Sequence, residues 1–159
     1  PILFGPDRNL GSYINAQTGR NMDLWNGCCH VHDRFMVEAL ENLKKAHPQA
    51  LVLTHPECRK DIVERSDVVG STAAIINYVK THPEGEYIVM TADGVAHEIR
   101  KACPSAVLLG EDNACEYMHM NTLDKLYRCL RDETNEVIVD AAVAEKALLP
   151  IQRMLDWSK

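Results

Sequence analysis

The chain has 159 residues, with 23 acidic side chains against 17 Lys plus Arg, and a formal charge of -6 at neutral pH. That length suits one ordinary domain with a real core, or one and a half small ones. The acidic balance and the lack of a basic stripe argue against nucleic acid as a partner, and no apolar run approaches the ~20 residues of a membrane span, so the expectation is a soluble, cytoplasmic protein.

The chain opens on Pro1-Ile2-Leu3-Phe4, a strand-like run with neither Met nor a leader before it. The expectation is therefore a fragment. Further apolar runs follow at 22–25, 51–54, 67–70, 87–91, 106–110 and 136–139, and with residues 2–4 these are the predicted strands. Segments of helical period separate them, which predicts an α/β fold with parallel sheets. Asp7, Asp33, Ser71, Asp93, Asn121 and Asp140 stand where helix N-caps are expected. After Asp140, the spacing of Val143, Leu148, Ile151 and Leu155 predicts an amphipathic C-terminal helix.

Residues 1–29 align without gaps on residues 87–115, an offset of 86. Ile2 meets Ile88, Asp7 meets Asp93, Ala16 meets Ala102 and Cys29 meets Cys115. Both copies read as strand, Asp-capped helix, strand and Cys-bearing loop, so a duplicated α/β unit is expected.

In open parallel sheets ligands sit outside the carboxyl ends of the strands. The chemistry-bearing residues fall there: His55, Glu57 and Cys58 after the 51–54 run, Ser71 and Thr72 after 67–70, and Cys115 after 106–110. His55 and Glu57 supply a proton donor and a carboxylate base, and Cys58 a soft metal ligand. Ser71-Thr72 opens a helix, which makes it either a plain N-cap or an anion site.

Six cysteines without a Cys-x-x-Cys pair disfavour both a disulfide scaffold and a zinc ribbon. Cys103 and Cys129 lie in helical patterns and are expected to pack. Trp25 and Trp157 are expected as core or interface anchors, and Glu111-Asp112 as a solvated loop. The run Cys28-Cys29-His30-Val31-His32 resembles a metal site in composition, but adjacent cysteines do not readily share one small ion.

The motif His55-Pro56-Glu57-Cys58, with Ser66-Asp67-Val68-Val69-Gly70-Ser71-Thr72 behind it, resembles the quinolinate synthase family of iron-sulfur enzymes in NAD biosynthesis. So do Phe4-Gly5-Pro6-Asp7-Arg8-Asn9-Leu10, Trp25-Asn26-Gly27-Cys28-Cys29-His30-Val31-His32, Asp112-Asn113-Ala114-Cys115, Met120-Asn121-Thr122-Leu123 and Pro150-Ile151-Gln152-Arg153-Met154-Leu155. The resemblance implies repeated three-layer α/β units in a pseudo-threefold, three-domain architecture. It assigns residues 1–32 to the back half of the second domain, 33–118 to a complete third domain, and 119–159 to a C-terminal helical segment with a short strand. The N-terminal domain of the same chain would precede Pro1.

The resemblance further implies a 4Fe-4S cluster held by three cysteines, with Cys58 and Cys115 as two of them and the third before Pro1. Cys29, although paired with Cys115 by the repeat, is read as part of the second domain's terminal loop. The implied reaction condenses iminoaspartate with dihydroxyacetone phosphate to quinolinate, with loss of phosphate and water. His55 and Glu57 would be catalytic, and His55, Ser71 and Thr72 would bind substrate. Cys28 and His119 depart from the family pattern. The alternative expectation is a catalytically silent α/β fragment that binds small anions, because two thiolates are too few to keep the cluster.

Overall fold

The structure is a computed structural model that describes residues 1–110 and 112–158. It divides into two units, Pro1–Met118 and His119–Lys159. The first holds the sheets, in an alternating order: β1 (Leu3–Phe4), α1 (Arg8–Thr18), β2 (Asp23–Leu24), α2 (His30–Asp33), α3 (Val37–Ala46), β3 (Leu51–Thr54), α4 (Lys60–Val63), β4 (Val68–Val69), α5 (Thr72–Thr81), β5 (Glu86–Met90), α6 (Gly94–Ala102) and β6 (Val107–Leu109). The second holds α7 (Leu123–Asp132) and α8 (Ala141–Trp157). No helix among the described residues is long and apolar enough to cross a membrane.

Strands β4, β3, β5 and β6 form one sheet in that order, and every pairing is parallel. Parallel strands covered on both faces read as continuous apolar runs, which is why Leu51-Val52-Leu53 and Tyr87-Ile88-Val89-Met90 alternate between two cores. On one face Val52, Ile88 and Met90 pack with Leu40 of α3 and Ile62 of α4. On the other, Leu53, Tyr87 and Val89 pack with Ile75 and Val79 of α5 and with Val95 and Ile99 of α6. The result is a helix-sheet-helix sandwich, as the α/β reading expected.

The smaller sheet pairs β1 with β2, again in parallel, with α1 between them in the chain. This β1-α1-β2 order matches β5-α6-β6, the second member of the sequence repeat. A backbone bond closes each unit at nearby positions: the Arg8 amide donates to Gly27 O at 2.8 Å, and the Asp93 amide, one residue before the position the offset pairs with Arg8, donates to Asn113 O at 3.3 Å. Helix α1 lies close on its strands because residue 11 is glycine. A Cβ there would meet Leu24 Cδ2 at 2.6 Å and Phe4 Cδ1 at 2.8 Å.

Several expectations are corrected. Residues 136–139 form no strand, and Val137 and Ile138 are 85% and 84% exposed; an isolated apolar run without a partner leaves its ladder groups to water. Asp33 closes α2 rather than capping a helix, and the N-cap of α3 is Met36. The cap of α7 is Thr122, one residue beyond Asn121. Asp7, Ser71 and Asp140 cap as predicted, each accepting amide bonds from its own helix.

Cys103 is buried in the second core, whereas Cys129 is half-buried and its thiol donates to Thr134 O. Neither Trp25 nor Trp157 is a core residue, since both are exposed. Asp112 is exposed, and Glu111 lies outside the described residues. In the second unit the predicted stripe of Val143, Leu148, Ile151 and Leu155 lies on α8, as helical periodicity required, and all four side chains are exposed.

Ile88 sits at the centre of the four-stranded sheet with no exposure. Ile88→Ala is expected to cost about 2–5 kcal/mol through lost transfer energy and a cavity, whereas Val107→Ala, at a half-exposed position on the edge strand, is expected to cost under about 1 kcal/mol. Urea melts of the two variants check this, and equal midpoints would contradict the described core.

Candidate functional site

Because β3, β5 and β6 run parallel, the residues following them emerge on one edge of the sheet. After β3 the chain makes a tight turn in which the Cys58 amide donates to His55 O at 3.0 Å, while the His55 amide still pairs with Met90 O of β5 at 3.2 Å. The turn is held from outside by Asn9 of α1. Its side-chain amide donates to Glu57 O and to Asp33 Oδ1, both at 3.0 Å, and Arg8 adds contacts to the Asp33 carboxylate. The segment before α3 is thus tied to the loop that carries Glu57.

One oxygen of Glu57 faces Nδ1 of two imidazoles. His32 Nδ1 is 3.0 Å from Glu57 Oε2, and His55 Nδ1 is 3.8 Å from the same oxygen. The two rings stack, with centroids 4.6 Å apart and planes at 15°. His55 Nδ1 also accepts the Glu57 amide at 3.3 Å, so its neutral ring carries the proton on Nε2. His32 Nε2 meets the hydroxyl of Thr91, a buried residue directly after β5, at 3.0 Å. Burial pushes both imidazoles below the ordinary histidine range, and for His32 the neighbouring His55 adds to that shift. The Glu57 carboxylate opposes it at both rings.

The cysteines separate into different environments. Cys29 follows the β2 loop, and its amide donates to Asp7 Oδ2 at 2.7 Å. Asp7 is itself buried, and its other oxygen caps α1 through the Leu10 amide at 2.7 Å. The sulfur of Cys29, a ring nitrogen of His32 and a carboxylate oxygen of Glu57 all lie within 4.8 Å of one another. Cys115 is buried, with its Sγ 3.8 Å from His30 Nε2. Its loop is clamped by Arg34, which donates to Ala114 O and to Glu116, while His30 meets Glu116 at 3.2 Å.

Cys58, by contrast, is turned inward. It belongs to the first apolar core, its thiol donates to Met90 O at 3.4 Å, and burial pushes that thiol far above the ordinary cysteine range, with Cys29 adding to the shift. Cys28 is exposed.

The predicted His55 and Glu57 therefore meet in one group. Ser71 and Thr72 stand exposed at the start of α5, with Ser71 Oγ accepting the Ala74 amide at 3.2 Å. Among the described residues no hydrogen bond joins them to the imidazole-carboxylate group. His32, Thr91, Asn9 and the coordinating arrangement around Cys29 are absent from the residues singled out in the sequence as catalytic. The signals were the His30-Val31-His32 pattern and the position of Thr91 at a strand end.

The family model described as NadA, Quinolinate synthetase A protein, matches residues 1–156. The curated quinolinate synthase of Microcystis aeruginosa is 44% identical over 165 residues, that of Prochlorococcus marinus 43% over 166, and that of Trichormus variabilis 41% over 165. These alignments cover 99%, 100% and 99% of this chain and 52%, 50% and 51% of the relatives. The chain spans about half the length of the curated relatives it matches.

The two depressed imidazoles set a pH window. Above the ordinary histidine value of about 6.5 both are neutral whether folded or unfolded. Below it the unfolded chain takes up protons first, so stability falls as pH drops toward the lower folded values. Denaturant midpoints are expected to decline between pH 7 and 5, above the range in which ordinary carboxylates titrate, and His55→Gln is expected to flatten that decline. A wild-type midpoint constant over that interval would contradict the burial of uncharged rings.

Proposed function

The chain belongs to the quinolinate synthetase A family, and from that premise we propose that it supplies part of an active site that condenses iminoaspartate with dihydroxyacetone phosphate to quinolinate, releasing phosphate and water. The observation that carries the proposal is the Glu57 carboxylate set against two stacked imidazoles at the carboxyl edge of a parallel sheet.

The family's 4Fe-4S cluster requires thiolates that face a common space. Cys115 suits that role, being buried on a clamped loop at the sheet edge. Cys58 suits it less, since its thiol lies in the apolar core with Val52, Ile62, Ile88 and Met90 and donates to Met90 O at 3.4 Å. Cys29 suits it better: its backbone is fixed by Asp7, and the residue after it, His30, touches Cys115. We therefore assign Cys29 and Cys115 as ligands in place of Cys58 and Cys115. A further thiolate would come from the half of the family's length that this chain does not span. When bound, such a cluster supplies a Lewis acid with an open iron position.

The chain's own residues handle protons and anions. The Glu57 carboxylate is the proton acceptor, kept in place by Asn9 at its backbone and by His32 at its side chain. Neutral His55 presents the Nε2 proton as a donor. At α5 the Ser71 hydroxyl already takes the Ala74 amide, and the preceding amides at the helix start suit a phosphate or a ring carboxylate of the product.

The test is made in the full-length protein after anaerobic reconstitution. Cys29→Ser and Cys115→Ser are each expected to lose bound iron and turnover, while Cys58→Ala keeps its iron. Glu57→Gln is expected to keep iron and to lose about 10²–10⁴-fold in turnover. Iron retained by Cys29→Ser but lost by Cys58→Ala would reverse the ligand assignment, and normal turnover in Glu57→Gln would remove that carboxylate from the chemistry.

A further inference from the structure

We propose that Cys29, His32 and Glu57 form a site for a single thiophilic divalent cation, of which zinc is the type, distinct in its ligand set from the iron-sulfur site although it shares Cys29. Three observations carry this.

The first is geometric. In a tetrahedral zinc site, bonds of about 2.0–2.1 Å to nitrogen or oxygen and about 2.3 Å to sulfur place the donor atoms roughly 3.3–3.6 Å apart. His32 Nδ1 and Glu57 Oε2 are 3.0 Å apart, and the donor atoms of all three residues lie within 4.8 Å of one another. Closing that triangle around an ion calls for side-chain movement on the order of 1 Å.

The second is the set of outer contacts. Metal-ligating histidines are held through their other ring nitrogen, which fixes orientation and tautomer. His32 has such a partner, since its Nε2 meets the Thr91 hydroxyl at 3.0 Å inside the protein. Asp7 holds the Cys29 amide, and Asn9 holds the Glu57 carbonyl. Two of the three donors are thus braced from the start of α1 and the third from the end of β5. Cys58, though close in sequence to Glu57, has its thiol committed to Met90 O.

The third is charge and softness. One thiolate, one neutral imidazole and one carboxylate carry two negative charges, which a divalent ion balances. Sulfur with imidazole selects zinc over magnesium or calcium, which prefer oxygen alone. On binding, the ion displaces the Cys29 thiol proton to solvent, while the single proton of the neutral His32 ring moves from Nδ1 to Nε2 and the Thr91 hydroxyl changes from donor to acceptor there. With three protein donors a fourth position stays open, as in catalytic rather than structural zinc sites. Because Cys29 is shared, zinc and the cluster exclude each other, and zinc would block assembly of the iron-sulfur centre.

The experiment is an anaerobic titration of cobalt(II) into full-length, reduced, cluster-free protein, followed by displacement with zinc. Wild type is expected to show stoichiometric thiolate-to-cobalt charge-transfer absorption that zinc abolishes. Cys29→Ser is expected to lose that absorption. His32→Ala and Glu57→Gln should each weaken binding by at least about tenfold, and Thr91→Val by about 10–100-fold, the usual cost of losing an outer-shell partner. Cys115→Ser and Cys58→Ala should change it less than about twofold.

Far-ultraviolet dichroism matching wild type keeps misfolding out of the comparison, and Thr91→Val decides the matter if Cys29→Ser does not fold. Absorption that survives Cys29→Ser, or that needs Cys115 as much as Cys29, would overturn the site. The latter outcome places the ion on the cluster's thiolates and leaves the cluster assignment standing. Loss of the cluster assignment would instead show as iron retained by Cys29→Ser with the cobalt result unchanged.

Discussion

Everything at the candidate site depends on the shared direction of β3, β4, β5 and β6. A parallel ladder delivers every strand's carboxyl end to one edge, so loops far apart in sequence meet there without a dedicated contact to bring them together. Thr54 and Thr91, buried at the ends of β3 and β5, mark that edge from inside. Reversing any strand would send its loop to the opposite rim. The apolar cores on both faces hold the direction fixed, since each strand alternates its side chains between two sets of helices.

The smaller β1-β2 pair contributes through two buried or half-buried polar links rather than through ladder bonds to the main sheet. Asp7 spends one oxygen on the start of α1 and the other on the Cys29 amide. Asn9, two residues on, reaches Asp33 and the Glu57 carbonyl. A charged group as deeply enclosed as Asp7 is tolerable only with its lone pairs engaged, and here those engagements fix the loop that carries Cys29. The helix cap and the site brace are therefore one carboxylate, so loosening α1 would also loosen the site.

Much of this was legible in the sequence. Unbroken apolar runs of strand length, separated by capped segments of helical period, specified a parallel α/β unit. The offset of 86 anticipated both β-α-β units. What the sequence did not disclose was which way a side chain turns. Residues 136–139 have strand-like composition, but composition does not say whether a partner strand exists. Cys58 follows Glu57 directly, yet a tight turn sends one side chain to the edge and the next into the core. His32 has no motif of its own beyond its neighbours, and its role arises only when Thr91, 59 positions away, meets its far nitrogen.

The pairing of His32 with a hydroxyl is what makes the group around Glu57 adaptable. A carbonyl at that position would only accept and a backbone amide would only donate, locking the ring in one tautomer. The Thr91 hydroxyl does either. With Nδ1 protonated, His32 donates to Glu57 and takes the hydroxyl's hydrogen at Nε2. With Nδ1 bare, the ring donates to the hydroxyl and offers a lone pair toward Cys29 and Glu57. The first state pairs both ring nitrogens, whereas the second leaves Nδ1 and the Glu57 oxygen as two acceptors 3.0 Å apart, an arrangement that only a proton or a cation between them satisfies. Burial disfavours a charged imidazole at both His32 and His55, so the change open to the His32 ring is a shift of its one proton between nitrogens, which leaves proton count and charge unaltered.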